Sequence, residues 1–266
     1  LENIHRLLNI VDIFKRLFSK FKNTSDYIKP VFWTFGKKYK IAAVHQYEVS
    51  DLDGSGYKPS PHPVQMTWKL EGAERAYEHF GPPFLLTTSS LYQKIRNIQL
   101  RILPDDVLLA IEVSKYDQKV VLEALHNCIA HQDYTRNGRI LVVEMLDRLI
   151  FENEGSFYEG QPNDYIAGNK TPRKYRNPFL VQAMTELNMI DTMGYGIYEM
   201  HLGQARRYFP LPDYDLSDNS SVKMTIYGSV VDPAYSRLLI QKTDLSWEDI
   251  LLLDRVQKNY LYQMML

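Results

Sequence analysis

Apolar residues recur with two different periods along this chain, and the period indicates where helices and strands lie. In residues 4–22 apolar side chains stand at helical spacing with Lys and Arg between them. We interpret this segment as a helix packed on the core or on a neighbouring domain, with a membrane-surface helix as the alternative. Helical spacing returns further along the chain, in residues 118–132, 178–190, 195–209 and 244–265, and residues 90–103 predict a helix that runs into a short strand.

Runs rich in β-branched and aromatic residues predict the strands. Residues 27–49 predict two strands joined at Gly36, and residues 139–155 predict a hairpin around Asp147 and Arg148. Residues 51–63 are dense in Gly, Ser, Pro and Asp, which favours a loop or a domain linker. Further extended segments are predicted at residues 64–72, 108–117 and 222–231.

The helix at residues 118–132, with the sequence QKVVLEALHNCIAHQ, carries a polar stripe beside its apolar face. Asp117 is the predicted N-cap of this helix. Glu123, Asn127 and His131 stand four residues apart, so they lie along one side of it. The stripe either holds a ligand or is the solvated side of a surface helix. We interpret His126 as structural and Cys128 as a small core residue.

Two glycine turns and a long loop follow this helix. Residues 155–178 form a polar loop of 24 residues, long enough to suggest a functional lid, and we call it the lid loop. Gly155 follows a predicted strand, where a backbone can approach a flat base closely. Gly194 and Gly196 precede a helix, where free N–H groups and the helix dipole favour phosphate.

Composition narrows the classes of function. The formal net charge is −1, from 31 Lys and Arg against 32 Asp and Glu, so any contact with DNA has to come from a local patch. The single cysteine excludes an internal disulfide and a multi-cysteine zinc site, and it is typical of a cytoplasmic protein. The sequence has no apolar run of about 18 residues, so we expect no transmembrane helix.

A carboxylate and a carboxamide one helical turn apart can act together on a phosphate. The amide oxygen of Asn127 can bind Mg²⁺, which prefers oxygen ligands, and the Glu123 carboxylate can orient or deprotonate an attacking water. The basic stretch of the lid loop, with Lys170, Arg173, Lys174 and Arg176, can close over phosphates, contact DNA or remain a solvated surface. Each of these signals is weak alone, and their order along the chain is more informative.

The segments LEALHNCIAHQDY, LIFENEGSF, YRNPFLVQAMTELNMIDTMGYGI and EHFGPPFLL resemble the C-terminal region of bacterial and archaeal proteins named as transcriptional regulators or RecG-like ATP-dependent helicases. The resemblance covers roughly residues 30–260. Proteins of this family join an AlbA/Schlafen-like DNA-binding domain to a degenerate ATPase domain of the Bergerat type, found in gyrase, MutL and histidine kinases, and then to a winged helix. The resemblance therefore implies an α+β fold in which helices cover one face of a mixed sheet.

The same resemblance implies roles for individual residues. Glu123 matches the general base of the family's N-box, and Asn127 matches its Mg²⁺ ligand. Gly194 and Gly196 match the second glycine motif, which cradles phosphates beneath the lid. Further nucleotide contacts are expected from His131 and Arg176.

The chain departs from the first glycine motif of the family, which reads Asp-x-Gly-x-Gly. The corresponding segment here runs from Asn153 to Phe157 and contains Gly155. Asn153 replaces the aspartate that reads adenine, and Phe157 replaces the second glycine. The Asn153 carbonyl can accept a hydrogen from the adenine amino group without the charge of a carboxylate. Phe157 can fill space that a base would use, which weakens the expectation of nucleotide binding and of hydrolysis.

These observations predict three segments: the end of a DNA-binding-type domain at residues 1–63, an ATPase-like domain at 64–232 and a helical linker at 233–266 that leads towards a winged helix absent from this chain. We expect a module that senses ATP and Mg²⁺ within a DNA-binding transcriptional regulator and hydrolyses little ATP. The partners expected are DNA, through flanking domains, and a second copy of the chain, with no membrane. The alternative is an ATPase scaffold kept for dimerisation and interaction without nucleotide. Hydrolysis that powers helicase work is the weakest hypothesis, because the chain has no P-loop motif.

Overall fold

The computed structural model describes residues 28–34, 42–48, 65–81, 84–102, 110–136 and 138–265. The predicted helix at residues 4–22 and the predicted linker at 51–63 lie outside these ranges. The described part forms ten strands: β1 (Ile28–Thr34), β2 (Ala42–Glu48), β3 (Met66–Leu70), β4 (Ala76–Phe80), β5 (Gln99–Ile102), β6 (Ile111–Ser114), β7 (Ile140–Glu144), β8 (Arg148–Glu154), β9 (Asp213–Asp215) and β10 (Ser221–Tyr227).

Seven α-helices occur within the same described ranges. They are α1 (Phe84–Lys94), α2 (Gln118–His131), α3 (Asn163–Ile166), α4 (Pro178–Glu186), α5 (Tyr195–Ala205), α6 (Pro233–Gln241) and α7 (Trp247–Met265). A short 3-10 helix, Tyr134–Arg136, follows α2. Of the helices described, none is both long enough and apolar enough to cross a lipid bilayer.

A six-stranded sheet with the order β4-β3-β7-β8-β10-β9 forms the centre of the molecule. The β3–β7 pair is parallel, and the other four pairs are antiparallel. A parallel pair needs a long crossover connection, and this crossover contains α1, β5, β6 and α2. The predicted α+β class with a mixed sheet is therefore confirmed.

Strand β8 alternates between buried and partly exposed residues, which gives it one face for the core. Leu149 and Phe151 are fully buried on that face, and Asn153 continues the same side at the end of the strand. Helix α2 packs across β8 and is flanked by α1 and α5. Its buried residues, among them Val121 and Leu125, join the same apolar cluster as Leu149 and Phe151. The end of β8 therefore lies close to the polar side of α2.

Most elements predicted from the pattern are confirmed. The hairpin around Asp147 joins β7 to β8, and β1 pairs with β2 in antiparallel fashion. Asp117 caps α2 by accepting hydrogen bonds from the Lys119 and Val120 amides at 2.8 and 3.1 Å. Ser246 caps α7 by accepting from the Asp249 amide at 3.2 Å. The pattern did not predict β4, β9, α3 or α6.

The last strand residue of β7, Glu144, is fully buried and has three donors. The Trp68 indole donates to one of its oxygens at 2.9 Å. The Arg96 amide and guanidinium donate to the other oxygen at 3.1 and 3.0 Å. This cluster ties β3, β7 and the end of α1 together.

Helices α6 and α7 contact the residues that precede β9. The Asp254 carboxylate accepts a hydrogen bond from the Leu211 amide at 2.9 Å, and the Lys258 ammonium donates to the Leu211 carbonyl at 2.9 Å. Lys258 also pairs with Asp213 at 2.7 Å. The predicted boundary at residue 233, between an ATPase-like domain and a helical linker, remains a prediction.

Candidate functional site

Glu123 and Asn127 lie side by side on α2, as their spacing predicts. The Asn127 side-chain nitrogen donates to Glu123 Oε1 at 3.2 Å. This bond uses one donor of the amide and leaves the side-chain oxygen of Asn127 free of any protein donor recorded in the described part. An oxygen in that position can serve a cation.

Burial raises the pKa of the Glu123 carboxyl to about 7, and the nearby negative charge of Asp191 adds to this rise. The hydrogen bond from Asn127 lowers the pKa, with an effect smaller than that of burial and larger than that of Asp191. A carboxyl that titrates near neutral pH can hold or accept a proton under physiological conditions. The geometry and the pKa are therefore both suited to general acid–base chemistry.

The start of α5 lies directly against Glu123. A Cβ atom on Gly196 would collide with Glu123 Oε1, so glycine at this position lets the Glu123 carboxylate approach the helix backbone closely. Gly194 has a φ of 88°, in the left-handed region that favours glycine, and its α-carbon faces the Lys170 carbonyl and Pro172 of the lid loop. The glycine turn therefore joins three parts of the site: α2, α5 and the lid loop.

The amide N–H groups at this turn already have an acceptor within the chain. The Asp191 carboxylate accepts hydrogen bonds from the Met193 amide at 3.1 Å and from the Tyr195 amide at 3.2 Å. A phosphate at the start of α5 has to share these donors with Asp191 or displace it. Sequence reasoning missed Asp191, although an aspartate just before a helix is a recognisable capping signal.

Asn153 is buried at the end of β8 and lines the same cleft as the start of α5. Its side-chain nitrogen donates to the Glu154 carbonyl at 3.1 Å, which leaves its oxygen as the available acceptor. Phe157 lies between Tyr165 and Tyr214, with ring centroids 6.1 and 6.3 Å away. Phe157 thus belongs to an aromatic wall beside Asn153.

A cleft opens between these groups, with a volume of about 980 Å³ that includes its open mouth. Its polar lining comes from α2, from Asn153 at the end of β8, from Asp191 and from Glu159 and Lys174 of the lid loop. Most of its apolar lining comes from the sheet and from aromatic residues of the lid loop. A concave site with a few converging polar groups is typical of small-molecule binding. The predicted residues that line it are Glu123, Asn127, His131, Asn153, Gly194 and Gly196.

Two of the predicted nucleotide-binding residues lie outside this lining. Gly155 has a φ of 98° and packs against Arg176 and Asp133. The Arg176 guanidinium donates to the Ser156 carbonyl at 2.8 Å and lies 3.6 Å from the Asp133 carboxylate. Both residues therefore shape the start of the lid loop in this structure. Lys174, in contrast, belongs to the cleft lining.

His131 lines the cleft in its neutral form at pH 7. Burial lowers its pKa to about 4, and the positive charge of Arg176 contributes to the shift. The imidazole stacks on the Tyr175 ring, with 6.3 Å between centroids. Neutral His131 can form a hydrogen bond with a ligand but adds no positive charge to a phosphate site.

The site fits a magnesium ion held mostly by a ligand and water. The described residues contain no group of three or more His, Cys, Asp or Glu side chains placed to hold a metal. Mg²⁺ in nucleotide sites is bound by one or two protein oxygens together with phosphates and waters. The side-chain oxygen of Asn127 could supply one such ligand, and Glu123 lies beside Asn127.

Comparison with known proteins places this geometry in a family context. Residues 130–226 match the family model described as "Putative ATP-dependent DNA helicase recG C-terminal". The resemblance to the RecG-like C-terminal region is thereby confirmed over these residues, and the architecture is consistent with a Bergerat-type ATPase fold. The matched range contains Asn153 and both glycine turns, and it begins after Glu123 and Asn127.

The fold is similar to that of a solved bacterial protein. The crystal structure of the DIP2311 protein from Corynebacterium diphtheriae matches 64% of this chain with a TM-score of 0.52. At 18% sequence identity the likeness concerns the fold alone. The chain covers 35% of the length of that protein. No curated protein matches the chain.

Proposed function

We propose that this chain is a regulatory module that binds ATP with Mg²⁺ and hydrolyses it slowly, within a transcriptional regulator whose flanking domains bind DNA. The observation that carries the proposal is the cleft, where Glu123 and Asn127 face the glycine turn of α5 and Asn153 stands beside an aromatic wall. The match to an ATP-dependent helicase family over residues 130–226 supports a nucleotide as the ligand.

Each part of a nucleotide has a counterpart in the cleft. The aromatic wall of Phe157, Tyr165 and Tyr214 suits a flat base, and the Asn153 oxygen can accept a hydrogen from its amino group. Asn127 would hold the magnesium ion, which neutralises phosphate charge when it is bound. Glu123 would orient a water or take its proton. Occupation of the cleft would shift the population of lid-loop conformations and thereby the flanking domains.

The alternative is a scaffold that mediates dimerisation or other interactions without nucleotide. Asp191 favours it, because its carboxylate takes the amide donors that a phosphate would use. Phe157, which replaces a glycine in the first glycine turn, also favours the scaffold, because its ring can fill space that a base would use. These features are also why the proposal includes little hydrolysis.

Titration calorimetry with ATP and Mg²⁺ on wild type and on Asn127→Ala tests the proposal. We expect wild type to bind, and we expect Asn127→Ala to bind about tenfold more weakly, which is about 1.4 kcal/mol. Omission of Mg²⁺ should weaken wild type and leave Asn127→Ala almost unchanged, because this residue acts through the metal. The matched control is Gln118→Ala, an exposed change in the first turn of the same helix.

Absence of heat with millimolar ATP would contradict nucleotide binding and favour the scaffold. In that case light scattering should find a dimer whether or not nucleotide is present. A monomer would contradict the dimerisation scaffold as well. Phosphate release that Glu123→Gln abolishes would instead establish hydrolysis by this site.

A further inference from the structure

The first residue of α7, Trp247, contacts the lid loop from behind the cleft. Its indole N–H donates to the Ile166 carbonyl at 3.2 Å. Ile166 ends α3, the one-turn helix within the lid loop. The preceding residue, Tyr165, is part of the aromatic wall of the cleft and lies 6.1 Å from the Phe157 ring. The C-terminal helix therefore holds the outer side of the segment whose inner side forms the site.

Trp247 also packs on α5, which carries the glycine turn. Its ring meets the Tyr198 ring edge-on, with 5.5 Å between centroids. Gly168 of the lid loop approaches the same Tyr198 ring so closely that a Cβ atom there would lie 3.1 Å from it. Tyr198 stands two residues after Gly196, the glycine that touches Glu123. The Trp247–Tyr198 pair thus connects α7, the lid loop and α5, the helix that carries the glycine turn.

The start of α7 is held in place independently of the lid loop. Ser246 and Asp249 form a reciprocal cap, with the Ser246 amide donating at 3.0 Å and the Asp249 amide at 3.2 Å. Two turns further along, Asp254 and Lys258 bind the Leu211 backbone. The cap completes the first turn of α7, and the Leu211 contacts attach the helix to the segment before β9, so movement of the lid loop has to break or drag the Trp247 contact.

We propose that Trp247 is a latch that holds the lid loop closed on α5 and links occupation of the cleft to the position of the C-terminal helix. The latch itself is a property of the protein without ligand. Its link to ATP rests on the proposed function. Because coupling between two sites is reciprocal, a ligand that orders the lid loop strengthens the latch, and loss of the latch weakens the ligand.

Hydrogen exchange of the protein without ligand tests the latch. Trp247→Phe keeps a ring against Tyr198 and removes the donor to Ile166. We expect the amides of Tyr165 and Gly168, which are bonded within α3 and its C-terminal turn, to exchange about three- to tenfold faster in this variant. The amides of β8 should exchange as in wild type. The control is Leu252→Ala, an exposed change on the same helix, which should leave the lid loop unchanged.

Equal exchange of the lid loop in wild type and Trp247→Phe would overturn the latch. Tyr198→Ala provides a second reading, because it removes the ring partner and should accelerate the same amides, whereas Tyr198→Phe should not. If neither Trp247→Phe nor Tyr198→Ala changes the exchange, Trp247 is only a packing residue.

Calorimetry and tryptophan fluorescence with ATP and Mg²⁺ then test the link. We expect ATP to change the fluorescence of wild type, the change to disappear in Trp247→Phe, and the affinity of that variant for ATP to fall. Calorimetric binding of ATP without any difference between wild type and Trp247→Phe would overturn the link while the proposed function stands. Absence of binding would defeat the proposed function and the link, and the exchange result would still decide the latch.

Discussion

Glu144 is fully buried and Glu123 is half-buried in the wall of the cleft, and the hydrogen-bond partners of the two carboxylates differ. Glu144 accepts three hydrogen bonds, one of them from a guanidinium. Glu123 has one recorded donor, the Asn127 amide at 3.2 Å, and it lies near the negative charge of Asp191. A buried carboxylate with a full set of donors stabilises a fold, whereas one without them destabilises it. The difference marks Glu123 as a residue kept for a ligand or a reaction.

The largest expected effect is on the Glu144 side of this comparison. We expect Glu144→Ala to lower the free energy of unfolding by about 3 kcal/mol, because the Trp68 N–H and the Arg96 guanidinium lose their acceptor. Chemical denaturation measures the change. Glu152→Ala is the control, since Glu152 is partly exposed and forms only a 3.6 Å pair with Lys223, so about 0.5 kcal/mol is expected. Equal losses of unfolding free energy in Glu144→Ala and Glu152→Ala would show that the hydrogen bonds of Glu144 do not stabilise the fold.

The next effect has the opposite sign and depends on pH. The folded protein binds a proton at Glu123 between the ordinary pKa of 4.5 and about 7, so ionisation of Glu123 lowers stability as pH rises through this window. We expect Glu123→Gln to match wild type at pH 4 and to be more stable by about 3 kcal/mol at pH 8, as an upper value.

Chemical denaturation of wild type and Glu123→Gln at each pH gives the difference between their free energies of unfolding. His131 and His201 have pKa values lowered to about 4 by burial, so they destabilise the fold as pH falls below 6.5, and their contribution cancels in the comparison. A difference between Glu123→Gln and wild type that stays constant from pH 4 to 8 would contradict the raised pKa.

Asp191→Asn sharpens the comparison by removing a charge near Glu123 while keeping an acceptor at the start of α5. We expect a loss of about 0.5 kcal/mol at the helix start. We also expect the pKa of Glu123 to move down from about 7, because the negative charge that raises it is gone. The pH profile of Asp191→Asn against the Asp191→Asn, Glu123→Gln double variant measures this shift, and an unchanged midpoint would exclude electrostatic coupling.

Gly196→Ala has the smallest expected effect on stability. Alanine favours a helix by about 1 kcal/mol over glycine, and the collision of its Cβ with Glu123 Oε1 offsets this gain. Thermal unfolding should therefore change little, whereas Glu123 has to leave its place beside Asn127 and its pH profile should change. Gly81→Ala is the control, because its Cβ would meet no atom within 4 Å. If the stability of Gly196→Ala depended on pH as that of wild type does, Glu123 would not lie against Gly196.

The sequence predicted those structural features that depend on residues close together along the chain. Asp117 followed by an apolar face was enough for α2, and the four-residue spacing was enough to bring Glu123 and Asn127 together. Strand β4 was missed because four of its five residues are at least partly exposed on the sheet edge, so it lacks alternation. Helix α6 was missed although Asp232 followed by Pro233 is a typical start of a helix.

The candidate site was only partly predictable, because its contacts join distant segments. The glycine turn at Gly194 was identified, but the carboxylate of Asp191 that takes its amides was not. Arg176 was predicted as a nucleotide ligand from the basic stretch of the lid loop, and its pairing with Asp133, more than forty residues away, was not predictable from that stretch. Similarly, the three donors of Glu144 come from residues 48 and 76 positions earlier, which no local pattern indicates.

Burial of Cys128 has a practical consequence for spectroscopy. It is the single cysteine of the sequence, and burial raises the pKa of its thiol to about 12, so it stays protonated and unreactive towards maleimides. A cysteine introduced at the exposed Leu252 would therefore be modified alone, in an otherwise native background. A spin label or dye at that position would report the local mobility of α7.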